Sequence, residues 1–193
     1  ISINRINVVR AKITAITFVI LEVMMLLFHY ISNRENLFDI PYIYYGFMYI
    51  IMLVVMIAFL MIFTKLGANV SKNISYIRYT GIFFISFILI WCAGISLLDQ
   101  LSSGQVIVYV VAVISIAITP FYNPVTLFIV YLTIHSLFLA AMPYFQKSTQ
   151  LLLGNSINTT TFVIMSWAIS CMRYKKQAED FNNRKIILKK NAE

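Results

Sequence analysis

Residues 42–63 read YIYYGFMYIIMLVVMIAFLMIF, a stretch without a charged side chain or a proline, with Pro41 before it and Lys65 after it. An α-helix needs about 20 consecutive apolar residues to cross the hydrocarbon core of a bilayer. The stretch therefore predicts a membrane-spanning helix. The whole chain has the same character, because 61% of its 193 residues are hydrophobic and only 11% are charged, against roughly 25% charged residues in an ordinary soluble domain. This composition excludes a soluble globular protein.

Five more apolar stretches follow the same pattern and are separated by turn-forming residues. The fourth is the shortest, close to the lower limit for a crossing. We predict an all-α polytopic membrane protein in which residues 1–172 form a bundle of six transmembrane helices and residues 173–193 form a cytoplasmic helical extension. The six predicted spans are 10–31, 42–64, 78–98, 105–119, 124–143 and 157–172.

The basic side chains predict which way the bundle faces. The formal net charge is +8, and the cations form three clusters that fall on one side when there are six crossings. The positive-inside rule then places both termini in the cytoplasm. Because these cations lie at helix ends, the charge indicates a lipid bilayer and not a nucleic acid as partner. The clusters are Arg5, Arg10 and Lys12; Lys65, Lys72 and Arg78; and Arg173, Lys175 and Lys176.

Beyond Met172 the chain continues as RYKKQAEDFNNRKIILKKNAE, which is polar and free of glycine and proline. An apolar stripe crosses this boundary at intervals of three and four residues, which is typical of a parallel coiled-coil seam and predicts a homodimer. The alternative is an amphipathic tail lying on anionic lipid. Fewer than three heptads would leave the membrane, so we expect a further domain after Glu193. The seam residues are Trp167, Cys171, Tyr174, Ala178, Phe181 and Leu188.

Residues 178–185 (AEDFNNRK) and 188–193 (LKKNAE) resemble the signalling helix that joins multi-span membrane sensor domains to GGDEF diguanylate cyclase domains in bacteria. The first helix, with Arg5, Arg10, Glu22 and Tyr30 spaced through it, is similar to the first span of the same six-span modules. The resemblance implies an input domain in the bacterial inner membrane that acts in cyclic di-GMP signalling and is not itself an enzyme. Similar linkers precede histidine kinases and class III nucleotide cyclases. The GGDEF motif is absent here, so no catalytic residue is carried over.

Three polar-capable side chains lie at a similar predicted depth in three spans: Glu22, Trp91 and His135. An ionisable side chain near the bilayer centre costs at least about 2.5–3.5 kcal/mol, so its presence calls for a reason. One hypothesis is an outward-opening pocket for a small or lipid-like ligand. The alternative is that Glu22 is protonated or bonded to a neighbouring helix, and that His135 is a satisfied core histidine. The pocket hypothesis names Glu22 and His135 as polar contacts, Trp91 and Tyr131 as walls, and Asp99, Gln100 and His29 as the mouth.

No cofactor is predicted from the sequence. A haem held by His29 and His135 is disfavoured because their depths differ by about three residues. Cys92 and Cys171 fall inside apolar runs, and no metal, nucleophile or phosphate-loop motif occurs, so no metal site is predicted. Two other classes stay open: a small transporter or channel, which needs a polar path through the membrane, and an enzyme acting on lipid, which needs a fuller catalytic set.

Overall fold

A computed structural model describes residues 3–40 and 42–190, without the side chains of residues 184, 185 and 188–190; Pro41 is outside this description. All regular secondary structure in the described residues is α-helical, and no strand occurs among them, which confirms the all-α prediction. The six helices are α1 (Ile3–Ser32), α2 (Tyr42–Ala68), α3 (Ile74–Asp99), α4 (Ile107–Ile118), α5 (Pro124–Phe145) and α6 (Thr149–Lys190).

Length and apolar composition separate these helices into two groups. Four of them, α1, α2, α3 and α5, are long and apolar enough to cross a membrane. α4 is apolar but has only 12 residues, and α6 is long but carries many polar side chains. The chain is therefore a helical membrane protein.

Successive helices run in opposite directions, as contacts at the two ends of the bundle show. At one end the start of α1 meets the α4–α5 connection, where the Asn7 amide donates to the carbonyl of Phe121 at 3.1 Å. At the other end the start of α2 meets the end of α3, where Tyr45 donates to Asp99 at 2.7 Å. We call the first the basic end, because it carries Arg10, Lys65, Arg78 and Arg173.

α3 is the central helix of the bundle. It packs against α1 and α2 on one side and against α4 and α5 on the other, while α6 lies along α4 and α5. Its buried side chains include Phe84, Ile88, Leu89 and Trp91. α1 and α2 instead expose many large apolar side chains, as expected of helices that face lipid. The core thus follows α3.

α6 is one unbroken helix of 42 residues. It begins at Thr149 and not near residue 157, because the Gly154–Asn155 pair expected to precede the span is helical. Asn155 makes tertiary contacts there, donating to Gln100 Oε1 at 3.0 Å and to the carbonyl of Gly104 at 2.9 Å. At the other end the helix continues past residue 172 as far as Lys190 without interruption.

Candidate functional site

A cavity of about 620 Å³ lies between α1, α3 and α4. This volume is within the range of about 300–1,000 Å³ that is usual for small-molecule sites. Its wall is mostly apolar because the facing sides of the three helices supply aliphatic and aromatic residues. We call it the lateral cavity. Its lining includes Arg10, Phe18, Glu22, Trp91, Val111 and Ser115.

The lateral cavity opens sideways, between α1 and α4. Ile13 and Leu21 of α1 and Ile107 and Val111 of α4 line it, yet they are 59%, 44%, 60% and 55% exposed on the outer surface of the bundle. Side chains that line a cavity and also face outward mark its rim. The lateral cavity is therefore open at the outer surface of the bundle.

Glu22 is the acidic residue that lines this cavity. Its side chain is only 2% exposed, and its Oε2 atom has no hydrogen-bond partner in the part of the chain that the structure describes. Buried polar atoms are nearly always paired, and each exception calls for an explanation. Because Glu22 also lines the lateral cavity, this oxygen lies at the cavity wall without a partner of its own.

Trp91 and Tyr49 form the aromatic wall beside Glu22, with ring centroids 6.5 Å apart. The Trp91 indole donates to the carbonyl of Met48 at 3.0 Å, which fixes the ring against α2. The Tyr49 ring also meets His29 edge-on at 6.0 Å. Tyr49 was not identified from the sequence, although Tyr45 and Tyr49 stand four residues apart in α2, a spacing that places them on one face.

Two of the predicted mouth residues, His29 and Asp99, lie beside the aromatic wall and outside the cavity. His29 contacts Tyr49, and Asp99 accepts a 2.7 Å hydrogen bond from Tyr45, whose ring stacks near Tyr49 at 6.3 Å. Neither His29 nor Asp99 is among the residues that line the lateral cavity. His29 is separated from the cavity by the ring of Tyr49, and Asp99 by the rings of Tyr45 and Tyr49.

His135 and Tyr131 lie elsewhere, between α4, α5 and α6, and not in the lateral cavity. Nδ1 of His135 lies 3.3 Å from the Tyr109 hydroxyl, and Nε2 lies 3.0 Å from the hydroxyl of Thr160. The Tyr131 hydroxyl donates to the carbonyl of Val113 at 3.1 Å. The structure thus separates Glu22 from His135, and the paired ring nitrogens match the alternative of a satisfied core histidine.

Gln100, the third predicted mouth residue, is buried in an amide network. Its Nε2 donates to the carbonyl of Gln105 at 2.7 Å, and its Oε1 accepts from Gln146 at 3.2 Å and from Asn155 at 3.0 Å. These bonds tie the ends of α3, α5 and α6 together. The side chain is engaged in packing, which leaves Glu22 and Trp91 as the predicted site residues that line the lateral cavity.

A second polar cluster closes the basic end of the cavity around Phe121, whose side chain is buried. Asn7 accepts from the backbone N–H of Phe121 at 2.9 Å and donates to its carbonyl at 3.1 Å. The Arg10 and Arg173 guanidinium carbons lie 4.3 and 4.9 Å from the Phe121 ring centroid. We call Asn7, Arg10, Phe121 and Arg173 the Phe121 cluster.

The Phe121 cluster also holds the end of α4. Arg10 donates to the carbonyl of Thr119 at 2.7 Å, and Arg173 donates to the carbonyl of Ala117 at 3.3 Å. The last carbonyls of a helix have no partner within the helix and carry partial negative charge, so cations are favourable there. α1, α4 and α6 consequently meet at one point, where α6 leaves the bundle.

The predicted dimer seam begins inside the bundle. Trp167 donates to the carbonyl of Pro124 at 3.2 Å and packs on Phe128 with ring centroids 5.2 Å apart, so this side chain is engaged by α5. Further along α6, Cys171 and Tyr174 are half-buried, whereas Ala178 and Phe181 are exposed. The side chain of Leu188 lies outside the described part of the chain.

Within residues 3–40 and 42–190 no group of three or more His, Cys, Asp or Glu side chains could hold a metal ion. His29 contacts Tyr49 and His135 contacts Tyr109, so the two histidines have different surroundings. Comparisons with protein-family models, with curated proteins and with solved structures find no match for this chain.

Proposed function

We propose that this chain is the membrane-embedded input domain of a signalling protein. A small lipophilic ligand binds in the lateral cavity and changes how α6 is held where it leaves the bundle. The observation that carries the proposal is the buried, unpaired oxygen of Glu22 in a cavity that is walled by α4, the helix whose other end contacts Arg173 of α6.

The proposed topology has six crossings, with the basic end in the cytoplasm. The antiparallel course of the six helices supports it, because Arg10, Lys65, Arg78 and Arg173 all lie at the same end. The 24 positions from Thr149 to Arg173 correspond to about 36 Å of helix at 1.5 Å per residue, enough for a crossing of a bilayer about 30 Å thick. Polar residues of α6 such as Thr159 and Ser170 are buried against the bundle and spared contact with lipid.

We call the proposed coupling between the lateral cavity and α6 the relay, and it runs through α4. This helix supplies Val111 and Ser115 to the cavity, packs along α6, and offers its last carbonyls to Arg10 and Arg173. A ligand shifts such an equilibrium only by binding one arrangement more tightly than the other. An occupant that displaces α4 binds the displaced arrangement more tightly. The same displacement moves the Ala117 carbonyl and so alters its hydrogen bond from Arg173.

The proposed recipient of the signal is a cytoplasmic output domain in a homodimer. The uninterrupted course of α6 to Lys190 and the exposure of Ala178 and Phe181 support a helix that pairs with a second copy. The resemblance of residues 178–193 to signalling helices favours a diguanylate cyclase as output. A histidine kinase or class III nucleotide cyclase is the alternative, and all three act as dimers that a helical seam can align.

Disulfide crosslinking tests the relay without any knowledge of the ligand. In a background with Cys92→Ala and Cys171→Ser, Ala178→Cys should form a crosslinked dimer in membranes, whereas Lys175→Cys should not. Ser115→Phe, which places a ring at the cavity, should change the rate of crosslinking at position 178 about fivefold, the effect of roughly 1 kcal/mol.

The matched control is Ile118→Phe, three residues further along α4, which is exposed and does not line the cavity; it should leave the rate unchanged. Val111→Phe serves as a second cavity variant if Ser115→Phe does not fold. Equal crosslinking at positions 175 and 178, or equal effects of the cavity and control variants, would overturn the proposed function.

A further inference from the structure

We infer that the lateral cavity takes a single-chain amphiphile whose polar group donates a hydrogen bond, such as a long-chain alcohol or amine. The donor binds Glu22, and the hydrocarbon chain runs along α1 toward the Phe121 cluster. This inference rests on the proposed function of the cavity as a ligand site and specifies the class of ligand.

The shape of the cavity indicates a single chain. Its lining follows α1 from Asn7 to Met25, a distance of about 27 Å at 1.5 Å per residue. A volume of about 620 Å³ spread over that length makes the cavity long and narrow. A space of this shape fits an extended hydrocarbon chain that lies along α1.

The polar groups of the lining indicate a donor as the head of the ligand. Glu22 offers an acceptor oxygen that is buried and unpaired in the described part of the chain. The Trp91 indole, the Asn7 amide and the Arg10 guanidinium each already donate to a backbone carbonyl. A ligand that donates a hydrogen bond gives the Glu22 oxygen its partner and removes the cost of an unmade buried hydrogen bond.

The position of Glu22 sets the direction of the chain. Twelve residues separate it from Arg10, or about 18 Å of helix, whereas Met25 at the other limit of the lining is only three residues away. Between Glu22 and Arg10 the wall is largely apolar and includes Phe18, with Ile85 of α3 facing it. The long apolar part of the cavity therefore lies on the basic side of Glu22, and the rim between α1 and α4 lets the chain enter from the bilayer.

Tryptophan fluorescence tests this inference in nanodiscs of phosphatidylcholine. The chain has two tryptophans, and Trp167→Phe leaves Trp91, at the cavity, as the reporter. Dodecanol carrying a bromine next to its hydroxyl should quench Trp91 in a saturable way. Its methyl ether, which has an acceptor but no donor, should bind about tenfold more weakly, the effect of one lost hydrogen bond in an apolar site.

Substitution of Glu22 supplies the matched pair of variants. Glu22→Gln keeps a carbonyl acceptor and should still bind the alcohol, whereas Glu22→Met, of similar length, should bind the alcohol no more tightly than the ether. Trp91→Phe leaves Trp167, which packs on Phe128 away from the cavity, and should show only weak, unsaturable quenching by the same probe. The alcohol-to-ether ratio in the parent protein keeps the inference testable even if Glu22→Met does not fold.

Equal binding of alcohol and ether, or tighter binding of brominated dodecanoate than of either, would overturn the inference. Failure here is distinct from failure of the proposed function. If no probe quenches Trp91 but Ser115→Phe still alters crosslinking at position 178, the ligand class is wrong and the relay stands. If the probes bind as expected but Ser115→Phe has no effect on crosslinking, the relay is wrong and the site stands.

Discussion

Gly81→Ala should destabilise the bundle because this glycine makes room for a buried tyrosine. A Cβ atom on Gly81 would overlap the hydroxyl oxygen of Tyr122 and would stand 2.9 Å from the adjacent ring carbon Cζ. Tyr122 is only 9% exposed, and the residue before it, Phe121, is held through its backbone by Asn7. The ring therefore has little freedom to move away.

The expected magnitude follows from the atoms involved. Extra atoms in a packed core typically cost about 1–3 kcal/mol, and the overlap places Gly81→Ala in the upper half of that range. Tyr122→Phe removes the overlapping oxygen but leaves Cζ at 2.9 Å. The double variant should thus recover part of the loss, with a coupling free energy of about 1 kcal/mol or more between the two positions.

Gly154→Ala is the matched control, because no atom lies within 4 Å of the added Cβ. Alanine is preferred to glycine inside a helix by up to about 1 kcal/mol, so this variant should be neutral or stabilising. The assay is reversible unfolding in mixed micelles, followed by helical circular dichroism. A free energy of unfolding for Gly81→Ala within about 0.5 kcal/mol of the parent value, or an additive double variant, would refute the packing argument.

His135→Ala should lower the free energy of unfolding by about 1 kcal/mol, the size of interhelical hydrogen bonds in membranes. It should leave quenching of Trp91 by bromododecanol unchanged, and weakened quenching would show that His135 contributes to the ligand site. Asn7→Ala should cost more, about 2 kcal/mol, because it leaves two backbone groups of Phe121 unpaired, and the same unfolding assay measures it. Asn123→Ala should cost about 1 kcal/mol through loss of the N-cap that accepts from Val125; a larger loss than that of Asn7→Ala would contradict both assignments.

The helices of the fold were predictable from the sequence because an apolar run of sufficient length has few alternatives in a bilayer. The run at residues 42–63 lies within α2, which begins at the same residue, Tyr42, and continues five residues further, to Ala68. The start of α6 was not predictable, because Gly154 and Asn155 are typical turn residues. Their helical state depends on the bonds of Asn155 to Gln100 and Gly104, which join residues more than fifty positions apart.

The candidate site was predictable only in part, because depth along a helix does not fix the direction in which a side chain points. Glu22 and Trp91 share a level and also a cavity. His135 has a similar predicted depth but lies on the other side of α4, where Tyr109 and Thr160 engage it. Tyr49 was missed because its role comes from its neighbours in α1 and α3, and a single sequence does not reveal which helices are neighbours.

Although α4 is short, it connects the lateral cavity to α6. One of its faces is a wall of the lateral cavity and another packs on α6, so it is the element that the cavity and the exit helix share. Its last carbonyls accept from Arg10 of α1 and Arg173 of α6, and both guanidinium groups contact Phe121. Two like charges so close together repel each other and are kept there by the partial negative charge at the helix terminus. In the proposed function, a small displacement of α4 by a ligand would therefore weaken both attachments together, at the place where α6 leaves the bundle.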